Sequence, residues 1–166
     1  QMKEYEEEFD SMLFHLPLAG STFKKVYYDV PLGRVVSKFV PADELIVPYT
    51  ATSIEDAEAV IHVVKMSENE LRKQIVNGFY ADVELTPPGN VEQNSVEKKE
   101  KELDGTKKVG KQDTVYTLLE CHVNLDLEGF EEVGADGQPT GVKLPYIVTV
   151  EEGSRTVLSI RRNFAP

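Results

Sequence analysis

The sequence predicts an α+β fold: a mainly antiparallel, hairpin-linked sheet with about two helices. Three observations carry this. Apolar and polar residues alternate in several short runs bounded by Pro, Gly, Asn and Asp, the pattern of strands joined by tight turns. Two other segments repeat their apolar residues at helical spacing. The 166 residues suffice for one domain with a real hydrophobic core. Residues 1–166 are accordingly read as a single domain, carrying a charged insert at 87–113.

Residues 3–16 read as the first helix. Tyr5, Phe9, Met12, Leu13 and Leu16 form one apolar stripe. Glu6, Glu7, Glu8 and Asp10 crowd the early turns, where the helix dipole favours negative charge. Pro17 disfavours the helical conformation at Leu16, and Gly20 completes the expected break. Thr22–Tyr28 and Arg34–Val40 read as a hairpin whose turn chemistry lies in Asp29-Val30-Pro31-Leu32-Gly33. Pro41 ends the second strand. Ala42–Leu45 reads as a helical turn or loop, Ile46-Val47 as a short strand, and Ser53-Ile54-Glu55-Asp56 as a polar turn.

Val60–Met66 is the next apolar strand. Ser67 and Glu70 then have the spacing of a capping box, opening a second helix through Leu71, Ile75 and Val76 that stops at Asn77-Gly78. Thr114–Leu125 is the strongest strand signal. A loop with an Asp136-Gly137 turn follows, and Leu144–Val150 and Thr156–Arg162 form a closing hairpin over Glu151-Glu152-Gly153-Ser154.

The insert differs in character. From Glu92 to Asp113 it holds six acidic and six basic residues, so the net charge of −11 lies wholly outside it. Its cluster of Lys98, Lys99, Lys101, Lys107 and Lys108 is cancelled by interleaved glutamates and has no aromatics for base stacking. A solvated loop or short charged helix is the expectation. The acidic balance of the whole chain argues against binding nucleic acid by phosphate neutralisation. It fits either colloidal solubility or a surface close to DNA that must not hold it.

No apolar run approaches the roughly 20 residues that span a bilayer, and the acidic start QMKEYEEEFD has no signal-peptide core. A helix that begins without a cap reads as part of a longer protein.

Chemistry-bearing motifs are sparse. Cys121, the one cysteine, rules out a disulfide framework and reads as a buried structural thiol on a face with Leu119, Val123 and Leu125. His15, His62 and His122 show no spacing that predicts convergence. The loop Asp126-Leu127-Glu128-Gly129-Phe130-Glu131-Glu132 departs from a calcium loop, with Phe130 at a ligand position. G-x-S-x-G and Walker patterns are absent. Gly105-Thr106-Lys107-Lys108 lacks the first glycine and the preceding strand of a phosphate loop. Tyr27, Tyr28 and Tyr49 read as packing aromatics, with subunit contact the alternative for Tyr49 and for Phe79-Tyr80. Arg161 and Arg162 read as solvent-facing on opposite faces of an edge strand. No catalytic, cofactor-binding or metal-ligating residue is assigned.

Four long segments carry a resemblance: LPLAGSTFKKVYYDVPLGRVVSKFVPADELIVPYTAT (Leu16–Thr52), HVVKMSENELRKQIVNGFYADVEL (His62–Leu85), YTLLECHVNLDLEGFE (Tyr116–Glu131) and GVKLPYIVTVEEGSRTVLSIRRN (Gly141–Asn163). Their wording resembles the portal protein of short-tailed, double-stranded-DNA bacteriophages, in the large-portal family. The resemblance implies a virion protein of the capsid vertex, present in the bacterial cytoplasm during assembly. Such portals form a dodecameric ring of portal subunits. The ring docks the terminase, contacts capsid and tail proteins, and passes double-stranded DNA. It carries no catalytic residues, since ATP hydrolysis belongs to the terminase. No counterpart of the long channel helices or of the C-terminal barrel is recognisable, so the resemblance implies an internal, wing-like piece that contacts neither membrane nor DNA specifically.

Two other readings compete. One is a free-standing adaptor or protein-binding domain of phage or prophage origin, using the helix stripe Phe9, Met12, Leu13 and Leu16. The other is a metal-dependent hydrolase built on Asp126 and Glu128.

Overall fold

The computed structural model describes residues 2–29, 32–85 and 115–163. The charged insert at 87–113, with its lysine cluster, lies outside the described residues, as do Val30-Pro31 in the first hairpin turn. Among the described residues there are two α-helices and seven strands in two antiparallel sheets, an α+β fold. The strands are β1 (Thr22–Asp29), β2 (Arg34–Pro41), β3 (Leu45–Ile46), β4 (Ala59–Ser67), β5 (Val115–Leu125), β6 (Leu144–Glu151) and β7 (Val157–Arg162). β1 and β2 pair alone, and the second sheet has the order β3-β4-β5-β6-β7. The chain divides into two compact units, Gln1–Val63 and Val64–Pro166.

In the first unit, α1 (Tyr5–Ala19) lies against the β1–β2 hairpin. Sequence reasoning stops this helix at Leu16, but it runs three residues further, with Pro17 inside its last turn. There the ring forfeits a single backbone bond, and few residues remain beyond it to be kinked. Gly20, at φ +76°, closes the helix by donating its N–H to the Leu16 carbonyl. The hairpin keeps the expected register, with Thr22 opposite Pro41 and Asp29 opposite Arg34. Its described turn residues behave as their types require: Leu32 N–H donates to Asp29 Oδ1 at 2.9 Å, and Gly33 takes φ +61°. A single 3-10 turn follows at Ala42–Glu44, and β3 then pairs with β4 through Leu45–His62 and Ile46–Ile61. Among the described residues of this unit, Val36, Ser37, Val40 and His62 are buried.

The second unit holds the larger core. α2 (Glu68–Val76) is opened by the predicted capping box: the Ser67 hydroxyl accepts from the Glu70 N–H while the Glu70 carboxylate accepts from the Ser67 N–H. Asn77 caps its end and Gly78 follows at φ +72°. The apolar face of α2 buries Leu71 against Tyr80, Tyr116, Leu118 and Leu158, with Val64, Met66, Ile75 and Phe79 packed around them. β5, β6 and β7 form a meander, with Leu125 opposite Leu144 and Tyr146 opposite Arg162. At the β6–β7 turn, Glu151 is buried, and its carboxylate accepts the N–H groups of Gly153 and Ser154. That carboxylate satisfies turn donors that no strand could reach.

Candidate functional site

The candidate with the most exposed apolar surface is the helix–hairpin face of the first unit. It is a surface and not a cavity. α1 is seated by polar contacts. Glu4 reaches Arg34 at 2.7 Å and accepts the Ser37 N–H at 3.2 Å, and Glu8 accepts the Phe39 N–H. The Arg34 guanidinium, ahead of the backbone donors, holds the Glu4 carboxyl below its ordinary value. On the other flank the Lys24 ammonium lies 3.6 Å from the centre of the Tyr5 ring. Tyr5 stacks on Phe9 at 5.9 Å, and His15 lies against Phe39.

Seated this way, the helix presents apolar residues outward. Of the expected stripe, Phe9 and Met12 are half-buried, whereas Tyr5, Leu13 and Leu16 stay exposed. Phe14 and Leu18, outside the stripe, are more exposed still, at 69% and 75%. The hairpin adds exposed Val26, Tyr28, Leu32 and Val35. The second half of α1, from Ser11 to Ala19, carries no Asp, Glu, Lys or Arg, so this half of the helix is apolar without charged gatekeepers.

The other residues singled out from sequence scatter. Tyr49 is fully exposed and Tyr28 largely so, against the expectation of packed aromatics. Tyr49 sits in a turn that offers no strand face to pack on. Phe79-Tyr80 instead turn toward the core, Tyr80 buried and Phe79 half-buried. Arg161 and Arg162 do fall on opposite faces of an edge strand, but they are half-buried rather than solvent-facing. Arg161 stacks at 3.9 Å over Phe79, and Arg162 lies 5.5 Å from the Tyr146 ring. A planar guanidinium can shed water onto an aromatic face at low cost, which alternation alone does not convey.

Cys121 is half-buried, less than expected. Its Sγ faces the Leu119 carbonyl at 3.7 Å, and burial pushes the thiol up. His122 Nε2 meets Glu120 Oε1 at 3.0 Å, His62 Nδ1 meets Lys25 Nζ at 3.5 Å, and His15 Nδ1 meets the Ser11 carbonyl at 2.8 Å. Each histidine therefore serves its own neighbourhood. Among the described residues, no group of three or more His, Cys, Asp or Glu side chains comes together to hold a metal ion.

The acidic loop spends its carboxylate internally: Gly129 N–H donates to Glu131 Oε2 at 2.9 Å. Backbone donors, that of Glu131 first and then that of Gly129, hold this carboxyl low. At the Thr52–Asp56 turn, the hydroxyls of Thr52 and Ser53 and the Ser53 N–H all donate to Asp56, holding its carboxyl well below the usual range. A groove of about 580 Å³ beside Leu71, Arg72, Leu85 and Tyr116 opens next to Leu85, the last described residue before the insert.

Sequence reasoning missed the roles of Glu4 and Glu8. Glu8 was visible only as part of the acidic early turns and Glu4 was not singled out at all, yet their i, i+4 spacing is the signal that they share a face. In comparisons with known proteins, no family model matches this chain and no curated protein matches it.

Proposed function

We propose that this chain is a structural segment of a phage portal. That assembly is the ring at the capsid vertex through which DNA is packaged and ejected, and to which terminase and tail attach. The observation that carries the reading is the extent of portal-like wording, which spans Leu16–Thr52, His62–Leu85, Tyr116–Glu131 and Gly141–Asn163. Two further observations support it. The helix–hairpin unit offers apolar and aromatic side chains to protein neighbours, as a subunit of an assembly requires. The net charge of −11 gives this peripheral piece no means of holding DNA by phosphate neutralisation, as the reading requires. In this reading the chain has no catalytic role, and its partners are other portal subunits, terminase, capsid and tail proteins.

A second reading, an adaptor domain of phage or prophage origin, is favoured by one observation: Leu13, Phe14, Leu16 and Leu18 cluster exposed on one helix half. Antibody labelling separates the two. An antibody raised against this chain, applied to purified particles of the phage that encodes it, should mark the single vertex that bears the tail. Label spread over the shell, or its absence from intact particles, would overturn the portal reading and leave the adaptor.

A further inference from the structure

β1 protects one edge of β2, and its other edge is a row of backbone donors that a two-stranded sheet leaves open. Alternation sends the N–H groups of Ser37 and Phe39 to that edge, while those of Val36, Lys38 and Val40 turn to β1. Here the open edge is closed by a helix and not by a third strand. Glu4 takes the Ser37 donor and Glu8 takes the Phe39 donor. The match is geometric: four residues rise about 6 Å along a helix, and two residues advance about 6.7 Å along a strand. The next equal step pairs position 12 with position 41, where the helix carries Met and the strand carries Pro, which has no N–H to satisfy.

The clasp is specific, and what else holds the helix is partly exposed: Lys24 over the Tyr5 ring, His15 against Phe39, and half-buried Phe9 and Met12. None of the fifteen residues of α1 is buried, and its N-terminus has no side-chain cap. A helix of this length is marginal in water without tertiary support. Gly20, at φ +76°, joins it to β1 through Ser21 alone and provides a pivot.

We propose that α1 is a releasable cover for the β2 edge, clasped by Glu4 and Glu8 and hinged at Gly20. Release uncovers the Ser37 and Phe39 donors and leaves β2 as an open strand edge.

The charged groups facing the clasp are Arg34 from β2, Lys24 from β1 over Tyr5, and the two carboxylates of Glu4 and Glu8 themselves. His15 lies at the far end of the helix, against Phe39. Because Arg34 and the backbone donors lower the Glu4 pKa from its ordinary 4.5, the Glu4 half of the clasp contributes its full stabilisation above that value. It is lost as pH falls through the lowered folded-state value, so acid favours release.

Amide-resolved hydrogen exchange on the full chain tests this. The amides of α1 from Phe9 to Leu13 should open together with those of Ser37 and Phe39. Their shared protection should be at least tenfold below that of Val36, Lys38 and Val40. In a Glu4→Gln/Glu8→Gln variant the first group should lose a further tenfold or more while the second holds. Should all these amides open as one unit in both proteins, or should Ser37 and Phe39 follow the hairpin rather than the helix, α1 is a fixed part of the fold and the proposal fails.

Discussion

Leu118 shows how much of this molecule rests on a few side chains. It is 1% exposed and sits among Leu71, Tyr80, Tyr116 and Leu158, where no polar atom could replace its contacts. Leu118→Ala should cost about 2–5 kcal/mol, read as a fall in the urea midpoint at unchanged slope. A cost below about 1 kcal/mol would mean that the core relaxes around the vacancy. At this scale, sequence reasoning worked where residue type alone decides burial and failed where a partner decides it. Arg161 and Arg162 lie in a strand whose alternation is legible. Their half-burial depends on Phe79 and Tyr146, 82 and 16 positions away respectively, and nothing local in Arg161-Arg162 points to either.

The two helices differ in what makes them form. α2 is specified locally, by its capping box, its Leu71 anchor and its Asn77-Gly78 stop, and the amino-acid sequence alone displays each of these. Ser67→Ala should destabilise the second unit by about 1 kcal/mol, because the Glu70 N–H loses its acceptor while the Glu70 carboxylate still takes the backbone N–H at position 67. Thermal unfolding measures this, and an unchanged midpoint would show that the cap is redundant with packing. α1 is specified tertiarily. Its apolar stripe is legible, but the residues that seat it are Glu4 and Glu8, whose targets are amides 33 and 31 positions away. Its extension past Pro17 is hidden for a related reason. Proline costs a helix most in its interior, and whether position 17 is interior depends on where Gly20 caps the chain. The strands are the most legible elements, since their bounding Pro and Gly residues act through their own backbone conformation. The division into two units leaves no mark in composition.

At the scale of the whole molecule, the described residues form two antiparallel sheets with two helices, and the helix–hairpin unit leaves many apolar side chains exposed. A monomeric protein seldom leaves this many large apolar side chains exposed, Phe14, Leu18, Tyr28 and Leu32 among them, without a neighbour for some of them. The portal reading supplies that neighbour as part of a closed ring, in which every copy meets the same contacts. The most direct measurement is negative-stain electron microscopy of the complete natural gene product that contains this sequence, with the solution mass of the 166-residue chain beside it. The account predicts rings with a central channel from the gene product, with this chain in a peripheral position on each subunit. A gene product that stays monomeric or dimeric and forms no ring would contradict it.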